Sequence, residues 1–128
     1  MRLKRWRKCE EYVLEILANQ GWSVQDVSRQ FVGYDIEGSE PNGVPAFVEV
    51  KSIDFPGQPF VLTSNEEAAA REKGDQYILA LIRPQHSHLE LALIRNPVAN
   101  LALVRQCKQW VWECARYPFE AQTVPLEG

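Results

Sequence analysis

An α/β fold, a mixed β-sheet flanked by helices, is what the sequence predicts, and three observations predict it. Apolar residues recur at helical spacing from Leu3 to Gln20 and stop at Gly21. Two alternating segments flank a dense turn signal, Gly38-Ser39-Glu40-Pro41-Asn42-Gly43. Tyr77 to Ile82 is a nearly continuous apolar run, as expected of a strand buried on both faces. The resulting order is α-β-β-β-α-β-β, with one short extra strand before the second helix. A chain of 128 residues suits one domain and can bury a core without disulfides or structural metals. Residues 1–128 therefore read as a single domain, with its core at about 10–95 and a C-terminal extension at 96–128.

Each element has its own justification. In the first helix Trp6, Val13, Leu14 and Leu17 share a face, with Ile16 near its edge and Gly21 at the C′ position. Trp22 to Val32 follows as a strand, from Trp22, Val24 and Val27 set among polar residues. Val32–Glu37 and Ala46–Ile53 form a hairpin around the turn. Asp54 to Pro59, with two prolines and a glycine, is a loop, and Phe60–Thr63 is extended. Ser64 is the expected N-cap of the second helix, with Glu67 completing a capping box and Gly74 ending it after Lys73. Gln76–Arg83 and Leu89–Arg95 are strands separated by a turn at Pro84–His88. Val98–Cys107 is compatible with a helix. Trp110, Trp112 and Cys114 alternate as in a strand, though a helix is also compatible with them.

Composition narrows the function classes. With 45% hydrophobic and 24% charged residues the chain is not disordered. No apolar run approaches the roughly 18 residues of a membrane span. The basic start (Arg2, Lys4, Arg5, Arg7, Lys8) runs into Glu10, Glu11 and Glu15, not into the apolar stretch of a signal peptide. Cys9, Cys107 and Cys114 contain no Cys-x-x-Cys, which points to reduced thiols in a cytoplasmic protein with no membrane association. A net charge of −3 argues against a protein that coats nucleic acid non-specifically.

The chemistry sits in the hairpin. If its strands pair symmetrically about Asn42, Asp35 faces Glu49, with Cβ atoms about 5 Å apart. Lys51, two residues on, points to the same face, while Val48 and Val50 point into a core. Two adjacent carboxylates repel unless neutralised, and a hard divalent cation with oxygen ligands does this well. Such an ion activates water and stabilises charge on a phosphoryl group, and a neighbouring Lys can hold the attacking water or contact the phosphate. Asp…Glu-x-Lys thus suits metal-dependent phosphodiester hydrolysis. Glu10 falls within the apolar arc of the first helix, so it is expected to point toward the sheet and require a partner.

Gly33-Tyr34-Asp35-Ile36 followed by Val48-Glu49-Val50-Lys51 resembles the PD-(D/E)XK nuclease superfamily, the restriction-endonuclease-like fold. Glu10-Glu11-Tyr12-Val13, Leu17 and Gly21-Trp22 are similar to the start of Mrr-type endonucleases and archaeal Holliday junction resolvases. Closer still is the domain named after the C-terminal part of the plant protein NO VEIN, a domain of unknown function. Phe60-Val61-Leu62-Thr63-Ser64-Asn65-Glu66 and Gly74-Asp75-Gln76-Tyr77 add to that likeness, which covers about Glu10 to Arg95. The resemblance implies a Mg²⁺ site (Mn²⁺ as substitute) on Asp35, Glu49 and the backbone carbonyl of Val50. It also implies Lys51 as the catalytic lysine, Glu10 as the acid of the first helix, and Asn65 and Glu66 as accessory residues. The partner it implies is nucleic acid, DNA before RNA, bound by a homodimer or together with a protein partner.

Plainer readings stand beside these. Glu49 and Lys51 fit the solvated face of an edge strand, Glu10 fits a surface residue, and Asn65 and Glu66 fit a first helical turn that favours acids. His86 and His88 read as loop residues, the four tryptophans as packing groups, and Arg2–Lys8 as either a phosphate grip or a solvated face. The alternative function is a non-catalytic module that binds nucleic acid or a protein within a larger defence or repair assembly.

Overall fold

The computed structural model describes residues 8–106 and 111–127. Helix α1 spans Cys9–Asn19, and Lys8 before it is extended. The expectation for 3–7, with Trp6, lies outside the described residues. Tyr12, Val13, Ile16 and Leu17 are buried and Leu14 only partly so, which rotates the buried face from the expected arc toward Tyr12 and Ile16. The floor beneath them is broad, formed by Ile36, Val48, Ile78 and Ala80, and Tyr12 and Ile16 are large enough to fill it. The helix ends as the sequence predicts. Gly21 is left-handed (φ 94°), its N–H donates to the Ala18 carbonyl, and the Trp22 N–H donates to the Leu17 carbonyl at 3.0 Å.

The strand expected over 22–32 is shorter. It runs Ser23–Asp26 (β1) and stops because the Asp26 carboxylate accepts from both the N–H and the hydroxyl of Ser28, folding the chain into a turn. A short 3₁₀ turn, Ser28–Gln30, and left-handed Phe31 and Gly33 follow, so β2 begins at Ile36, not Val32, and ends at Ser39. Strand β3, Pro45–Ser52, pairs with β2 in the register expected from symmetry about Asn42: Ile36 opposite Val48, Gly38 opposite Ala46.

Strand β4 (Phe60–Leu62) leads into α2 (Ser64–Lys73), and Gly74 caps that helix. The N-cap is one residue earlier than expected. Thr63 Oγ1 accepts from the Glu66 N–H, and the Glu66 carboxylate accepts from the Thr63 N–H, so the box is Thr63/Glu66, not Ser64/Glu67. Glu67 is instead buried and paired with Arg71 one turn on. Strand β5 (Tyr77–Pro84) pairs parallel to β3, and β6 (His88–Arg95) antiparallel to β5. His86 is exposed in the turn, whereas His88 opens β6.

Beyond Arg95 the expected helix at 98–107 is only Pro97–Asn100 (α3), opened by Asn96, whose side chain accepts from the Ala99 N–H. Strands β7 (Val104–Gln106), β8 (Val111–Cys114) and β9 (Ala121–Pro125) follow, so Trp112 and Cys114 belong to a strand. Cys107 and Trp110 lie outside the described residues.

The sheet order is β1-β2-β3-β5-β6-β9, with a smaller sheet β4-β8-β7. Alternation along β5 divides the core. Ile78, Ala80 and Ile82 pack toward α1, with Trp22, Val24 and Val50 against the same cluster; Leu79 and Leu81 pack toward the small sheet, Trp112 at its margin. Cys114 is a buried free thiol and Cys9 a half-buried one. Among the described residues no helix is long and apolar enough to cross a membrane.

Candidate active site

Asp35 sits at the entry to β2. Its N–H donates to the Val48 carbonyl (2.8 Å) and its carbonyl accepts from Val27 N–H (2.8 Å). Its carboxylate Oδ2 accepts from the Val50 N–H (2.9 Å), standing in for a strand carbonyl where the β2–β3 ladder has ended. One more step of the register sets Asp35 beside Glu49, and both line a single cleft of about 280 Å³ with Glu66, Thr63, Asn65 and Tyr34.

Glu49 is 4% exposed, on the α2 face of β3. Burial above all, then the charges of Glu66 and Asp35, push its carboxyl up to about 9, against the opposing pull of Lys51. Burial also raises Asp35; the Val50 N–H and Lys51 oppose this, and Glu10 and Glu66 add to it. The Lys51 ammonium is 3.4 Å from Glu49 Oε2 and 2.7 Å from Glu66 Oε1. Burial alone would lower Lys51, but the carboxylates of Glu49 and Glu66 raise it, so it stays an ammonium. Glu66 therefore caps α2 and holds Lys51 with the same oxygen.

The structure brings together Asp35, Glu49, Lys51, Asn65 and Glu66 from the residue before β2, from β3 and from α2. Glu10 is placed differently. It lies on α1, on the other side of the sheet from α2, is half-exposed and does not line the cleft, though its charge reaches Asp35 and Cys9. Asn65 acts on the backbone, its Nδ2 donating to the Phe31 carbonyl (2.9 Å). Sequence reasoning missed three residues that shape the cleft. Phe31 and Thr63 line it, and buried Tyr77 donates its hydroxyl to the Gly33 carbonyl (2.8 Å), fixing the approach to Asp35. The signal for Tyr77 was available, as a tyrosine heading an otherwise aliphatic strand needs a partner for its hydroxyl.

The donor set is two carboxylates, one ammonium and a third acid. Desolvation and the neighbouring acids raise the Glu49 carboxyl despite Lys51, and a divalent ion with oxygen ligands would relieve that environment. Among the described residues no three His, Cys, Asp or Glu side chains are grouped as a ready-made metal cage.

Residues 7–94 match the family described as Protein NO VEIN, C-terminal. Among curated proteins, no sequence matches this chain. Among solved structures, Hjc of Archaeoglobus fulgidus, a Holliday junction resolvase from an archaeal hyperthermophile, is similar. Its TM-score is 0.57 at 20% identity, over 84% of this chain and 81% of that one. That likeness shows the fold, a restriction-endonuclease-like α/β architecture.

Proposed function

The chain belongs to the family of the NO VEIN C-terminal domain, and from that premise we propose that it is a metal-dependent nuclease domain hydrolysing phosphodiester bonds of nucleic acid. The observation that carries this reading is the cleft shared by Asp35, Glu49 and Glu66, with Lys51 held behind it by the two glutamates.

Asp35 and Glu49 would hold Mg²⁺ or Mn²⁺, with the Val50 carbonyl as a further oxygen donor. When bound, the ion supplies charge neutralisation at the phosphoryl group and a lowered pKa for water. This chain's own residues do the rest. The Val50 N–H fixes one oxygen of Asp35, leaving the other oriented by the strand. Lys51, kept cationic and anchored by Glu49 and Glu66, orients a water or a phosphate oxygen. Glu66 is a positioning residue for Lys51, Asn65 positions the loop before Asp35, and Glu10 adds negative charge behind Asp35. DNA is the favoured substrate class, by analogy with Hjc, which is described as a Holliday junction resolvase. A dimer fits a duplex, since two strands need two sites.

Titration calorimetry with Mg²⁺ on wild type and Asp35→Ala, followed by cleavage assays over DNA and RNA, tests this. The expected outcome is metal binding and cleavage by wild type, with a loss in the variant beyond the about 100-fold typical of an outer-shell change. A second reading, a nuclease-like module that binds nucleic acid or a protein partner without cutting, is favoured by one observation: Asp35 Oδ2 is already bonded to a backbone N–H. It predicts that Asp35→Ala lowers stability and leaves binding intact.

A further inference from the structure

We propose that Phe31 is a stacking platform for an unpaired base, so that the substrate presents a single-stranded or splayed-out nucleotide at the cleft. This rests on the nuclease reading and narrows its substrate class. Phe31 is 86% exposed and lines the same cleft as Asp35 and Glu49. Leaving so large an apolar ring in water is unfavourable without an occupant. Its backbone is left-handed (φ 55°), a conformation a bulky residue rarely adopts.

The loop is held in that conformation from both sides. Asn65 Nδ2 donates to the Phe31 carbonyl, and Tyr77 donates to the Gly33 carbonyl. Gly33 lies so close to α2 that a Cβ there would be 2.6 Å from that of Ala69. The ring is therefore displayed on a fixed support, with the half-buried ring of Tyr34 in the same cleft.

A flat apolar ring beside acids that, on the nuclease reading, would hold a phosphate-binding ion matches a nucleotide, which joins a π-face to a phosphate. Paired bases hide their faces in the stack, so an unpaired base is the form able to reach Phe31. An apolar protein partner fits less well, because beside Phe31 only Val32 adds exposed apolar surface, while Ser28, Arg29, Gln30 and the cleft acids are polar.

The test uses the full chain with Ca²⁺ in place of Mg²⁺, and an oligonucleotide carrying one fluorescent adenine analogue, single-stranded or as a blunt duplex. Phe31→Asn keeps a residue that tolerates the left-handed backbone while removing the ring. We expect wild type to bind the single strand and quench the analogue. Phe31→Asn should bind it about ten-fold more weakly without quenching, Phe31→Tyr should retain both properties, and duplex affinity should be the same in all three. If Phe31→Asn binds and quenches like wild type while wild type cleaves with Mg²⁺, the stacking proposal falls and the nuclease reading stands. If wild type neither binds nor cleaves any nucleic acid, both fall.

Discussion

Buried between β3 and α2 beside the carboxylates of Asp35 and Glu66, the Glu49 carboxyl is pushed up to about 9 against the pull of Lys51. Its folded pKa of about 9 lies above the ordinary 4.5, so the folded state binds more protons than the unfolded one between those values. Stability from this group is full below about 4.5 and is lost as pH rises toward 9. Metal-free chemical denaturation should therefore show stability falling with pH, at up to about 1.4 kcal/mol per pH unit from this group, and Glu49→Gln should flatten the slope. Because an ion displaces that proton, Mg²⁺ affinity should tighten by up to about ten-fold per pH unit across the same window, measured calorimetrically. Glu66 has two roles that separate by mutation. Thr63→Ala removes the cap and should cost about 1 kcal/mol of stability while sparing Lys51. On the nuclease reading, Glu66→Gln should in addition lower kcat about ten-fold and shift the pH–rate profile, because the Lys51 ammonium loses the negative charge 2.7 Å away.

At the scale of elements, the loop from Phe31 to Tyr34 decides where Asp35 stands. Gly33 is required there twice over: its φ is 94°, and an added Cβ would meet Ala69 Cβ at 2.6 Å and the Asn65 carbonyl oxygen at 2.8 Å. Gly33→Ala should destabilise the fold by about 1–3 kcal/mol and lower metal affinity as well, since α2 and the loop move apart. Denaturation and calorimetry on one variant check both. Helix α2 also carries Lys73, whose ammonium lies 4.5 Å from the centre of the Phe47 ring, so the strand bearing Glu49 is gripped at more than one point.

Across the whole molecule, the C-terminal segment completes the sheet. Strand β9 pairs with β6 from His88–Pro125 to Ala92–Ala121, and Val124 and Leu126 enter the main core. Strand β8 covers β4, and Cys114 packs beside Leu79 and Leu81. Ending the chain at Asn100 should therefore expose Leu89, Leu91 and Ala92 and abolish a cooperative thermal transition, as followed by circular dichroism. Leu126→Ala in the full chain should cost about 2–5 kcal/mol.

The sequence by itself determined what local rules govern. The helix stop at Gly21 needs a positive φ, the hairpin register follows from a symmetric turn, and β5 betrays its two buried faces by its unbroken apolar run. Because strand alternation has a period of two, that register was enough to place Asp35, Glu49 and Lys51 together, and motif likeness added Asn65 and Glu66. Only the tertiary structure decided the rest. Whether Thr63 or Ser64 caps α2 depends on where β4 releases the chain, and both residues carry a suitable hydroxyl. The rotation of α1 toward Tyr12 and Ile16 depends on the width of the floor beneath it, which belongs to other strands. Glu10 lies on α1, on the other face of the sheet from α2, with its charge acting on Asp35, a placement set by how α1 packs on the sheet. The fixing of Phe31 by Asn65, and of Gly33 by Tyr77, joins residues 34 and 44 positions apart, a contact that no local pattern encodes.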